Sequence, residues 1–183
     1  LVIASWARIL NRVPGSRLIL KWPHLESGEV AGRFRAAFAT HGVAPERLEL
    51  RGNSPPEELM AEYAEVDIGL DPFPYSRAST SCEALCMAVP VVTLPGPRPF
   101  SRQTLALLAA MGLEDELARP DLAAYEDLAV ALAEDPDRLL DLRHRLRPAM
   151  ARGVADAGAH VAAVEDFFRR AWGLWCKRTR GEA

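Results

Sequence analysis

Cysteine is scarce and odd in number. Cys82, Cys86 and Cys176 in 183 residues cannot make a disulfide framework, which fits a reducing compartment and a cytoplasmic protein. Lysine is nearly absent, with two against twenty arginines, and with abundant alanine that bias points to a bacterial source. A large excess of charge of one sign is missing too. A net charge of −3 and no dense basic face before the Lys177 to Arg180 tail exclude a nucleic-acid partner. No apolar run approaches the ~20 residues a helix needs to cross a bilayer, so no membrane span is expected. Within the given residues, whose start need not be the native one, no signal-peptide pattern, internal repeat or low-complexity stretch stands out. The composition, 49% hydrophobic and 26% charged, is that of a globular domain long enough for one core. The chain opens on Leu1, within what reads as a helix already under way, and a parallel sheet that opens on a crossover helix lacks its first strand. A fragment or C-terminal domain of a longer protein is expected.

Residues 66 to 96 organise the chain. They read as an apolar strand from Val66 to Asp71, a Pro- and Ser-rich loop to Ser79, a helix from Thr80 to Ala88 and a second apolar strand from Pro90 to Leu94. Continuous apolar strands joined by a helix indicate a parallel sheet covered on both faces, so the loop lies at a strand's carboxyl end, where ligands bind. Its hydroxyls lead into a helix N-terminus with free N–H groups and the positive end of a dipole, a seat for phosphate. The same residues also describe an ordinary helix start, with Ser79 as N-cap and Glu83 near the capping-box position.

The remaining elements alternate. A helix over Leu1 to Leu10 precedes strand Arg17 to Trp22. An amphipathic helix from Glu26 to His41 carries Val30, Phe34 and Phe38 at four-residue spacing and precedes strand Leu48 to Arg51. The exit loop Gly52 to Pro55 enters a helix to Ala64 with proline in its first turn. Beyond the central unit, the rigid Pro95 to Pro99 loop marks a second ligand-facing edge. Helices follow over Ser101 to Met111, Leu122 to Glu134, Pro136 to Met150 and His160 to Lys177. Four strands with covering helices predict one doubly wound α/β domain over residues 1–183. The closing helix, within residues 158–178, carries Val161, Val164, Phe168, Trp172 and Trp175 as an aromatic stripe. Packing on the domain's own sheet is narrowly preferred for it over packing on an absent N-terminal lobe. Cys82 and Cys86 share a helix face with no histidine near them in sequence, so they read as small core residues and no metal is expected.

Leu70 to Tyr75 (LDPFPY), Thr80 to Leu85 (TSCEAL), Val89 to Gly96 (VPVVTLPG) and Ser101-Arg102 together resemble the C-terminal lobe of the O-linked N-acetylglucosamine transferases, glycosyltransferase family 41. Trp6 to Pro14 and Pro45 to Leu48 extend the resemblance upstream; Tyr125 to Ala129 and Trp172 to Cys176 extend it downstream. It implies a Rossmann-like parallel sheet flanked by helices, the C-terminal half of a GT-B fold, that holds a UDP-sugar donor such as UDP-N-acetylglucosamine. It also implies a protein Ser/Thr acceptor, an N-terminal lobe bearing the catalytic groups, tetratricopeptide repeats upstream in relatives, and inverting chemistry with no metal or other cofactor.

Carried over residue by residue, the diphosphate lies against Arg77, Ala78, Ser79 and Thr80, the ribose against Glu83, and the base against the 54–62 segment through Ser54, Pro56, Leu59 and Glu62. Departures stand beside the matches. Ser76, Arg77 and Ala78 occupy the place of Asn-Gly-Gly in bacterial relatives, so two glycines that let backbone approach the diphosphate are gone. Leu59 replaces a base-stacking histidine, Glu62 an arginine, Cys86 a tryptophan and Ala88 a glycine. The family's diphosphate lysine lies upstream, and Lys21 does not match it. None of His24, His41, His144 and His160 stands where a general base is needed. Two readings therefore remain open: a donor-binding lobe, or a degenerate GT-B-like lobe that serves as a binding or scaffold module.

Overall fold

The computed structural model describes residues 1–180. Helix α1 (Val2–Arg12) leads into strand β1 (Leu18–Lys21), a 3-10 turn over Pro23–Glu26 and helix α2 (Gly28–Ala39). Strand β2 (Leu48–Arg51) follows and pairs in parallel with β1, Leu18 opposite Leu48 through Lys21 opposite Arg51. Helix α3 (Pro56–Glu62) runs through a 3-10 turn, Tyr63–Glu65, to the short strand β3 (Gly69–Leu70). Helix α4 (Ala78–Cys86) then crosses to strand β4 (Val91–Val92), which pairs in parallel with β3. The crossover is the strand, loop, helix, strand unit read from the sequence.

One continuous four-stranded sheet was the expectation, and the strands instead form two separate parallel pairs. The second pair is short because its chain leaves the ladder at polar residues: beyond the Asp71 N–H bond to the Val92 carbonyl (3.0 Å), the Asp71 and Thr93 side chains turn to each other. Two cores match the two pairs. Ala7, Leu10, Phe38, Val43 and Leu48 form the smaller one between α1, α2 and the β1–β2 pair. Leu85, Val89, Val92, Leu108, Leu132, Leu142 and Leu146 lie in the larger one, under β3 and β4. Helix α1 serves both, since Ile9 belongs to the larger core and Trp6 packs on each.

The later helices are α5 (Gln103–Ala110), α6 (Glu114–Leu117), α7 (Leu122–Glu134), α8 (Pro136–Arg152) and α9 (Ala157–Arg180). Helix α7 ties the halves together through fully buried Tyr125, whose hydroxyl accepts from Trp6 Nε1 (3.1 Å) and donates to the Asp71 carbonyl (3.3 Å). Beside it the Arg8 guanidinium grips Glu126 with two bonds of 2.9 and 2.6 Å.

Packing of α9 on the domain's own sheet is not what the structure shows. Phe168, Trp172 and Trp175 are 64%, 65% and 56% exposed and, with Ala171, line an open apolar groove. The two indoles stack on each other at 5.1 Å. Cys86 is exposed rather than a core residue, and Cys82 is half-buried with its thiol pushed up by burial. Among the described residues no helix is long and apolar enough to cross a membrane, and no cluster of potential metal ligands occurs.

Candidate nucleotide site

The loop after β3 approaches the carboxyl end of β1, where the centre of the Trp22 ring lies 6.0 Å from the Arg77 guanidinium. Helix α4 begins there two residues earlier than its hydroxyls indicated: its first helical residue is Ala78, and the N-cap is Arg77, not Ser79. The reason is non-local. Asp71, at the end of β3, is 3% exposed, and its Oδ1 accepts the N–H of the N-cap residue Arg77 itself at 3.0 Å, which fixes the backbone where the helix begins. Its Oδ2 accepts from Ser76 Oγ and from Thr93 Oγ1, both at 2.7 Å. Thr104, at the start of α5, donates its N–H to Ser76 Oγ (3.0 Å), and its hydroxyl lies 2.8 Å from Ser81 Oγ. Loop 72–77 is thus fastened from beneath by a buried carboxylate and four hydroxyls.

What this leaves open faces outward. No side chain caps α4, and its first turn holds no acidic residue. The N–H groups of Ala78, Ser79 and Thr80 therefore keep their donors free among the described residues, beside the exposed Ser79 and Thr80 hydroxyls. Arg77 is exposed, with its guanidinium 6.0 Å from the centre of the Trp22 ring. Glu83, half-buried one turn in, accepts from the Tyr63 hydroxyl (3.2 Å), so it is not part of a capping box. The same hydroxyl reaches the Thr80 carbonyl (3.3 Å), and burial beside Glu83 pushes the phenol far up.

The residues expected at the base behave differently. Pro56 is exposed and Leu59 half-buried, whereas Ser54 and Glu62 are engaged with each other and with cations. Lys21 Nζ, at the end of β1, donates to Ser54 Oγ (2.6 Å) and Glu62 Oε1 (2.9 Å), and Arg51 donates to Glu62 Oε2 (3.2 Å). The Ser54 hydroxyl, Lys21 and Arg51 hold the Glu62 carboxyl down at about 2. Arg51 is further shared with Glu49 (2.5 Å) and Glu65 (2.6 Å). All four histidines are exposed.

Lys21, Trp22, Tyr63, Asp71 and Thr104 are site residues that reasoning from the sequence did not find. Position alone could have flagged three of them, since Lys21, Trp22 and Asp71 stand where apolar strands end. Tyr63 and Thr104 carry no such signal.

This arrangement, α/β with an open helix N-terminus at the strands' carboxyl edge, is the C-terminal lobe of a GT-B fold. The family model described as Glycosyl transferase family 41 matches residues 1–154, and the chain belongs to that family. A solved mutant of the Thermobaculum terrenum O-GlcNAc transferase superposes with a TM-score of 0.93 and 38% identity, over 97% of this chain and 34% of that one. The chain is 35% identical over 180 residues to a probable UDP-N-acetylglucosamine–peptide N-acetylglucosaminyltransferase SPINDLY of Solanum lycopersicum, and 36% identical to its Petunia hybrida counterpart. It covers 96% of itself in each comparison and about a fifth, 19%, of each of those relatives.

Proposed function

We propose that the chain is the donor-binding lobe of a glycosyltransferase that moves N-acetylglucosamine from UDP-N-acetylglucosamine to Ser/Thr of a protein in the cytoplasm. The observation that carries this reading is the open first turn of α4, with three unpartnered N–H groups, two exposed hydroxyls and an unpaired guanidinium gathered at one strand edge. A diphosphate accepts from Ala78, Ser79 and Thr80, and Arg77 adds charge. As the sugar leaves, these donors and the dipole of α4 stabilise the departing diphosphate, so an inverting transfer needs no metal. Glu83 accepts from the ribose hydroxyls, with Tyr63 fixing its carboxylate. The base packs on Leu59 beside Ser54, Pro56 and Glu62.

Catalytic groups are assigned to an N-terminal lobe, and the apolar stripe of α9 is the surface proposed to dock on it. Tetratricopeptide repeats beyond that lobe would select the acceptor. The second reading, a lobe that no longer binds donor, draws on one observation: Ser54 and Glu62 already satisfy each other and Lys21.

Calorimetric titration with UDP, UMP and GDP tests the choice. Ser79→Ala with Thr80→Ala is expected to weaken UDP binding about tenfold while changing stability little, because neither side chain caps the helix. Absence of binding by any nucleotide to the full-length protein selects the degenerate module.

A further inference from the structure

Arg77 stands at the wrong end of a helix for a cation. The start of α4 carries the positive end of the dipole, which repels a guanidinium unless an anion lies between. Among the described residues no carboxylate pairs with Arg77 to offset this, although Arg8, Arg12, Arg51 and Arg145 all have such partners. Its neighbour is instead the indole of Trp22, which is 54% exposed.

Trp22 is well placed to hold something still. Its N–H donates to the Arg51 carbonyl (3.0 Å), its carbonyl accepts from Leu25 N–H (2.9 Å), and Pro23 follows, so the backbone under the ring is fixed on both sides. Arg77 is anchored likewise by its N–H on Asp71. The two side chains meet from opposite halves of the lobe, Trp22 from the end of β1 and Arg77 from the loop after β3.

On the diphosphate reading above, we propose that Trp22 is the positioning residue for Arg77: the cation–π contact with the indole face holds the guanidinium group beside the first turn of α4, ready to grip the donor's phosphates. A cation–π contact with an aromatic face leaves the guanidinium N–H donors free, and it restricts the long side chain before the ligand arrives, so less rotamer freedom is lost on binding. This chain thereby supplies a charged side chain where glycine backbone is missing at Arg77 and Ala78.

The test is a double-mutant cycle on the full-length protein with UDP and UMP titrations and thermal unfolding. Trp22→Ala is expected to weaken UDP binding about three-fold, the worth of an exposed cation–π contact, with a smaller effect on UMP and an unchanged melting temperature. Trp22→Phe restores most of the affinity, and Trp22→Ala adds nothing once Arg77→Ala is present. A loss on Arg77→Ala with none on Trp22→Ala overturns the positioning role and leaves the diphosphate reading standing, as does strict additivity of the two losses. A wild-type protein that binds neither nucleotide overturns both.

Discussion

Replacing Asp71 by alanine removes the acceptor on which the whole loop before α4 converges. Thr93 Oγ1, fully buried, loses its partner among the described residues, while Ser76 Oγ keeps the Thr104 N–H and the Arg77 N–H can reach water at the exposed helix start. One stranded buried hydroxyl plus the lost charge-assisted bonds cost about 3 to 4 kcal/mol, offset by about 1 kcal/mol because an unpaired carboxylate no longer has to be buried. The net expectation is a destabilisation of about 2 to 3 kcal/mol. Asp71→Asn separates the contributions. Its amide oxygen still accepts from Arg77, and its NH2 meets hydroxyls of Ser76 and Thr93 that rotate to accept, so about 1 kcal/mol is expected. Urea unfolding gives both numbers as midpoint shifts at constant m-value, and hydrogen exchange at the Arg77 amide should quicken in the alanine variant alone. An alanine variant within about 0.5 kcal/mol of wild type, or an asparagine variant as damaged as the alanine one, would refute the assignment of Asp71 as the loop's anchor.

Ala88 closes α4 at φ 61°, with Val89 N–H returning to the Ala84 carbonyl (2.8 Å), a left-handed end that glycine adopts without strain. Ala88→Gly is therefore expected to raise stability by about 0.5 to 1 kcal/mol in urea unfolding, after subtracting glycine's extra unfolded-state entropy. Glu62 has a folded pKa of about 2, below its unfolded value, so its contribution is fully present above about pH 5 and lost as pH falls towards 2. Comparing acid unfolding of wild type with Glu62→Gln is expected to expose on the order of 1 kcal/mol of pH-dependent stability in that window, and parallel curves would contradict it. Trp6→Phe removes the indole N–H from the buried Tyr125 hydroxyl as well as packing on both cores, and its cost is expected to be about 1 kcal/mol smaller in a Tyr125→Phe background, where only the packing loss remains.

Much of this was legible because its causes are local. The apolar runs at 66–71 and 90–94, the hydroxyls at 79–81 and the Phe34–Phe38 spacing each state their element within a few residues. Boundaries and partners were not, because distant groups set them. The start of α4 moved from Thr80 to Ala78 since the acceptor that fixes the Arg77 backbone, Asp71, comes from the preceding strand rather than from residues beside the helix. Ser54 and Glu62 read as base contacts, yet their partner Lys21 lies 33 and 41 residues away. The stripe of α9 was plain as periodicity, but periodicity names a buried face without naming what buries it.

The two ends of the candidate nucleotide site differ in what they have left to offer. At the proposed phosphate end, three backbone N–H groups, two hydroxyls and Arg77 are without a hydrogen-bonded or carboxylate partner among the described residues. At the base end the polar groups are already paired, with both Glu62 oxygens occupied and Lys21 bonded twice, so a base that entered hydrogen-bonding competition there would have to displace bonds already made. Leu59 offers a half-buried apolar contact, which any flat base satisfies. Affinity is then concentrated in the diphosphate. Titrations are expected to separate UDP from UMP by tenfold or more and UDP from GDP by less, about three-fold. A protein that ranks the bases strongly while ignoring the second phosphate would mean that the Lys21, Ser54 and Glu62 cluster opens to read the base, and that the first turn of α4 is not where the donor is held.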